Sequence, residues 1–169
     1  MKNVDKDIEK VLVSSEEIEA ITPADILRRM DINAVLVGVS SKQVTGAHGF
    51  EITADMTLNR AAKTLPDGVI LPGGMPGTTN LMSNQTVNTF VDYCAENGLL
   101  LSAICAAPMI LGRKGLLDGC KAICFPGFEN ELIGATISDE FICTDKNIIT
   151  AKGMGSAVNF GIEIALNCE

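Results

Sequence analysis

Apolar residues follow two rhythms along this chain. Apolar runs at 34–39, 68–71 and 99–104, the last broken only by Ser102, read as strands buried on both faces, and 11–13 as a shorter, weaker one. Between them the spacing becomes helical. Residues 16–30 place Ile18, Ile21, Ala24, Ile26 and Leu27 on one side, with Ser15 as N-cap. Residues 84–97 place Val87, Phe90, Val91 and Cys94 likewise, and Gly98 ends that helix. A closing helix at 155–167 carries Val158, Phe160, Ile164 and Leu166 along its apolar side. Hairpins are predicted at 44–53 and around Asp145-Lys146-Asn147, a helical turn within 56–63, and a strand at 121–125. Strands alternating with helices predict one α/β domain over 1–169, a mostly parallel sheet covered on both faces.

In such sheets the site lies beyond the carboxyl ends of the strands. Two of those ends are unusual. Strand 68–71 runs into Pro72-Gly73-Gly74-Met75-Pro76-Gly77, a loop whose bare backbone can approach another group closely. Strand 99–104 runs into Cys105-Ala106-Ala107-Pro108, with a helix expected from Ala106 to about Gly112 and Pro108 in its first turn. A sharp strand-to-helix turn at Cys105 would hold a thiol as a nucleophile elbow holds a serine. Backbone N–H groups and a helix N-terminus would then favour the thiolate. The N–H groups of Gly74 and Ala106 are candidates for an oxyanion hole. The proton partner is open between two groups. His48, the only histidine, lies in a predicted hairpin; Glu19 lies in the first helix, at the same sheet edge. A buried Glu19 would have a raised pKa and donate to the sulfur while protonated.

Composition narrows the class. The 169 residues are 47% apolar and 20% charged, enough for a core without disulfide staples. A net charge of −8 argues against nucleic acid and anionic membranes as partners. No apolar run approaches the roughly 20 residues that span a bilayer. The charged opening 1–10 is unlike a secretory signal, so a cytoplasmic setting with free thiols is expected for the six cysteines. Apart from Cys105 these read as structural: Cys94 on a helix face, Cys120 and Cys124 flanking a strand, and Cys168 near the chain end. Cys120-x-x-x-Cys124 lacks the second ligand pair of a zinc site, so no metal is expected. A flavodoxin-like electron carrier would need a Ser/Thr/Gly-rich phosphate loop after the first strand, and a class I amidotransferase a late histidine. The sequence has neither.

The motifs at 71–77 (LPGGMPG), 103–108 (AICAAP) and 150–155 (TAKGMG), with Glu16-Glu17-Ile18-Glu19-Ala20, Pro23 and Arg28-Arg29, resemble the ThiJ/PfpI superfamily. The branch is that of the Parkinson-disease-linked protein deglycase and its bacterial relatives. The resemblance spans about residues 16–166 and implies a flavodoxin-like sandwich, usually a homodimer. It implies that Cys105 is the reactive, oxidisable cysteine, that Glu19 is a protonated partner, and that Gly74 and Ala106 are the amides facing substrate oxygen. Gly73, Phe125 and Met154 fall around the pocket. The implied activities need no cofactor: glyoxalase or deglycase action on methylglyoxal or its protein adducts, or oxidative-stress sensing and chaperoning. Ala106 stands where many superfamily proteases have histidine, which speaks against a protease. Phe125 stands where the deglycase has one. His48, in Ala47-His48-Gly49, resembles a bacterial Ser-His-Gly segment that reaches the partner subunit's pocket. The first strand and its turn are shorter than in relatives, which is expected to shorten a central strand and displace Glu19.

Overall fold

A computed structural model describes residues 8–13 and 16–168, with side chains from Lys10 onward. The elements run β1 (Ile8–Val13), α1 (Glu17–Arg29), β2 (Asn33–Gly38), β3 (Gln43–Thr45), β4 (Glu51–Thr53), β5 (Met56–Thr57), α2 (Leu58–Ala61) and β6 (Gly68–Leu71). They continue with α3 (Gly77–Ser83), α4 (Gln85–Asn97), β7 (Leu100–Ile104), α5 (Pro108–Arg113), β8 (Lys121–Ala122), β9 (Thr136–Ile137), β10 (Ile142–Asp145), β11 (Ile148–Ala151) and α6 (Ala157–Asn167).

Seven strands form the main sheet in the order β10-β11-β7-β6-β1-β2-β5, parallel except for the β10–β11 edge hairpin. The period-2 alternation of each strand divides its side chains between two cores. Val11, Val13, Ile70, Ile104 and Ile149 face α1 and α6, meeting Ala24, Leu27, Phe160 and Ile164. Leu12, Val69, Leu71, Leu101 and Ala103 face the other layer, meeting Leu81, Phe90, Val91 and Ile110. Burying a side chain of this size stabilises the fold by about 1.5–3 kcal/mol. The sheet with helices on both faces is the architecture the alternation predicts.

The first strand is fuller than its apolar run suggests. β1 has six residues and lies between β2 and β6, pairing Val13 with Gly38 and Val11 with Ile70. Glu9 and Lys10 hide it from a hydrophobicity reading. Lys10 is nevertheless fully buried: its ammonium donates to the carbonyl oxygens of Ala61, at 2.8 Å, and Thr64, at the end of α2. It also lies 4.3 Å from the centroid of the Phe90 ring.

Burial lowers the Lys10 pKa to about 8, against the raising effects of Cys94 and Asp67. The folded pKa lies below the unfolded value of 10.5, so the charged amine costs stability below about pH 8, and that cost disappears as pH rises to 10.5. Urea unfolding of wild type and Lys10→Met tests this. The stability of the variant relative to wild type is expected to fall by about 1–3 kcal/mol between pH 7.5 and 10.5; a constant difference contradicts it.

Other elements depart from the pattern for local reasons. The 121–125 run is a strand only at Lys121–Ala122, in a small parallel pair with β9. Beyond it, the Ile123 N–H donates to the Thr150 hydroxyl at 3.0 Å and the Phe125 N–H to the Cys105 carbonyl at 2.8 Å, replacing a ladder. On α6, Phe160 and Ile164 are buried, but Val158 and Leu166 are exposed. The helix rests on α1 through Gly161, where a Cβ would lie 3.0 Å from the Pro23 Cα. Ser15, the expected cap of α1, lies outside the described residues; the structure caps that helix at Glu16 without a side-chain bond. Asn84 caps α4 by accepting from the N–H groups of Thr86 and Val87.

Candidate active site

Cys105 follows β7 directly and holds φ +66°, a left-handed conformation that non-glycine residues rarely adopt. Its N–H donates to the Ala151 carbonyl at 2.9 Å, so β11 anchors the turn. The expected helix begins later than Ala106: Cys105 to Ala107 form the turn, and α5 starts at Pro108 with only six residues. The positive end of that short helix is therefore a lesser influence on the sulfur than the amides beside it. The N–H groups of Gly74 and Ala106 both donate to the Cys105 sulfur.

The 72–77 loop achieves this through bare backbone. A Cβ on Gly73 would lie 2.6 Å from the Cys105 Cβ and 2.8 Å from the Ala106 nitrogen, and Gly74 holds φ +80°. A side chain at Gly73 would push the amide pair off the sulfur.

Glu19 reaches the same point from the first turn of α1. It is 1% exposed; its carboxylate accepts from the Gly73 N–H at 2.9 Å and is hydrogen-bonded to Cys105. The expected displacement by a short first strand does not occur: β1 is six residues long and fully paired with β2, and Glu19 meets Gly73 and Cys105. Burial pushes the Glu19 carboxyl up to about 7, against the lowering effect of the Gly73 and Cys105 hydrogen bonds.

The thiol differs from the sequence expectation of a lowered pKa. Burial first, and then the charge of Glu19, push Cys105 up to about 12; the Gly74 and Ala106 amides pull it down. Both upward influences of Glu19 require the carboxyl to be ionised. With its proton on the carboxyl, the like charge vanishes and the amides face a sulfur free to hold the negative charge. Cys105 and Glu19 thus titrate as a coupled pair: an ionised Glu19 opposes the thiolate and a protonated Glu19 permits it.

His48 is elsewhere. It lies in the β3–β4 hairpin, 66% exposed at its side chain, with Nδ1 3.2 Å from Glu17 and 3.9 Å from Glu16. Its hydrogen bond to Glu17, and then the charges of Glu16 and Glu17, raise its pKa. Among the described residues no hydrogen bond joins it to Cys105, so of the two proton partners left open the structure brings together Glu19 and the thiol.

Phe125 and Met154, the remaining pocket residues, line a cleft of about 340 Å³ with Pro126, Phe141, Lys152 and Gly153. Lys152 and Phe141 escape sequence reading because nothing in a lone Lys after a strand, or a Phe before one, separates them from surface residues. Of the other cysteines, Cys94, Cys120, Cys124 and Cys143 are buried, and burial pushes Cys124 up to about 11. Cys168 is half-buried beside the α1–α6 core.

A buried Glu–Cys pair under two backbone amides, at the carboxyl end of a parallel sheet, defines a cysteine site on a flavodoxin-like α/β fold. The sequence profile of the DJ-1/PfpI family matches residues 10–166, and the chain belongs to that family. It is 31% identical over 154 residues to Protein dj-1beta of Drosophila melanogaster, covering 89% of this chain and 82% of that one. The crystal structure of Drosophila DJ-1beta superimposes with a TM-score of 0.89 at 29% identity, covering 96% and 90% of the two chains. The glutathione-independent glyoxalase DJR-1.2 of Caenorhabditis elegans is 29% identical over 157 residues, covering 92% and 83%. Toxoplasma gondii DJ-1, solved oxidized, is 30% identical with a TM-score of 0.86, covering 93% and 86%. No helix among the described residues is long and apolar enough to cross a membrane.

Proposed function

We propose that this protein is a cysteine-dependent, cofactor-independent glyoxalase that converts methylglyoxal to lactate, and that the same site acts on methylglyoxal adducts of proteins as a deglycase. The observation that supports this most is the hydrogen-bonded pair of Cys105 and Glu19 beneath the Gly74 and Ala106 amides. A glyoxalase needs a nucleophile, a proton carrier and an anion site together, and this group of residues supplies all three. The relative named a glutathione-independent glyoxalase adds weight to an enzyme reading.

In the proposed reaction the Cys105 thiolate adds to the aldehyde carbon, forming a C–S bond. The carbonyl electron pair moves to oxygen, which the Gly74 and Ala106 N–H groups hold and the Glu19 proton neutralises. Glu19, now a carboxylate, takes the hydrogen of that carbon as a proton and returns it to the neighbouring carbon through the enediol. Water then breaks the C–S bond and releases lactate. The aldehyde carbon is oxidised and the ketone carbon reduced, so the balance needs only water. In this reading the protein acts as a homodimer in the cytoplasm, on small carbonyls or modified proteins. The test is incubation of the purified protein with methylglyoxal in the absence of glutathione, with lactate measured by an enzyme-linked assay. Lactate above the protein-free control is expected; output equal to the control sinks the reading.

A second reading uses the same residues. Cys105 is partly exposed, and a relative, Toxoplasma gondii DJ-1, has been solved oxidized. As a redox sensor or redox-regulated chaperone, Cys105 would be oxidised by peroxide to a sulfinate held by the same amides. Peptide mass after mild peroxide is expected to show two added oxygens on the Cys105 peptide before any other; oxidation confined to the other thiols eliminates a sensor.

A further inference from the structure

The cleft beside Cys105 has a chemistry of its own. Its walls are tied to the nucleophile's backbone at two points: the Cys105 N–H donates to the carbonyl of Ala151, the residue before Lys152, and the Cys105 carbonyl accepts from the Phe125 N–H. Three large apolar side chains meet there in the open, with exposures of 47% for Phe125, 70% for Phe141 and 63% for Met154. Gly153 gives the Phe125 ring a bare wall, since a Cβ at that position would lie 3.2 Å from the ring. One cation completes the cleft. The Lys152 ammonium lies 5.4 Å from the centroid of the Phe141 ring, and its backbone N–H donates to the Phe141 carbonyl at 2.9 Å. Among the described residues Lys152 makes no ion pair. The volume of about 340 Å³ falls within the range of small-molecule sites, about 300–1,000 Å³.

Methylglyoxal, with only a methyl group beyond its two carbonyls, would leave these surfaces unused. From the cleft we infer that the preferred substrates are 2-oxoaldehydes carrying an aromatic group, with an anionic substituent on the ring adding affinity. The ring stacks on Phe125 and Met154, and the anion pairs with Lys152. Cys105 adds to the aldehyde carbon as for methylglyoxal; phenylglyoxal and one water give mandelate, by the same internal oxidation and reduction. The inference rests on the proposed role of Cys105 for turnover but not for binding.

The experiment has two arms. In the first, kcat/KM is measured for methylglyoxal, phenylglyoxal and 4-carboxyphenylglyoxal with wild type, Phe125→Ala and Lys152→Gln. Phenylglyoxal is expected to exceed methylglyoxal by about tenfold or more. That ratio falls in Phe125→Ala, and the further gain from the carboxylate disappears in Lys152→Gln. In the second, Cys105→Ser protein is titrated calorimetrically with phenylglyoxylate and with pyruvate. Phenylglyoxylate is expected to bind about tenfold more tightly, through Phe125.

Normal methylglyoxal turnover with no aromatic preference overturns this inference and leaves the glyoxalase reading standing. Selective phenylglyoxylate binding without turnover of any oxoaldehyde upholds the aromatic site and overturns the glyoxalase reading. Binding that is equal for the two acids, or that survives Phe125→Ala, overturns the assignment of the cleft, including the case in which a second copy of the chain covers it.

Discussion

Cys105→Ser is expected to reduce lactate formation from methylglyoxal about a thousandfold or more, to the rate without protein. A serine hydroxyl is nearly the size of the thiol and fits the same left-handed turn, so the fold survives. Its oxygen has no base strong enough to ionise it: Glu19, with a pKa near 7, can share a proton with a thiol but cannot hold one taken from an alcohol. The Gly74 and Ala106 amides remain, and by themselves they bind the aldehyde oxygen without forming a bond to carbon. Lactate output measured beside an unchanged thermal midpoint separates lost chemistry from lost folding. Comparable output from variant and wild type would remove Cys105 from the reaction.

Glu19→Gln is the second large effect, about a hundredfold or more in kcat/KM for methylglyoxal. Glutamine retains the volume and can donate to the sulfur through its amide, so it keeps the thiolate's hydrogen bond. It cannot surrender a proton to the aldehyde oxygen or take one from the adjacent carbon. The loss is therefore expected in kcat more than in KM, because the amides and the cleft still bind the substrate. An unchanged kcat would mean that water or another group carries the proton.

Much of this was legible in the sequence because the decisive elements are chemically uniform. β6 and β7 are apolar runs broken only by Ser102, so their ends at Pro72 and Cys105 could be located to a residue, and with them the site. α4 carried both an Asn cap and a Gly stop. β1 was harder: Lys10 sits in the centre of the sheet because the carbonyls at the end of α2 and the Phe90 ring satisfy its ammonium, a long-range arrangement that no local pattern announces. The end of the 121–125 segment was misread for a similar reason, since its N–H groups bond to Thr150 and Cys105 across the fold. The protonation of the pair was the least legible feature. The amides favour a thiolate and burial opposes it, and only the placement of Glu19 against Gly73 and Cys105 shows that its own charge bears on the balance.

The Glu19 proton is the centre of the account, and the rate of Cys105 alkylation by iodoacetamide between pH 5 and 11 measures its effect directly. The proposed reaction uses the form in which Glu19 keeps the pair's remaining proton, so wild-type reactivity is expected to rise through a step near pH 7, where the pair loses its first proton. In Glu19→Gln the thiol ionises alone; burial raises it and no carboxyl precedes it, so the step is expected to move to higher pH. Identical profiles for the two proteins, or a wild-type step at or above the ordinary thiol value of 9, would contradict a thiolate held beside a protonated Glu19.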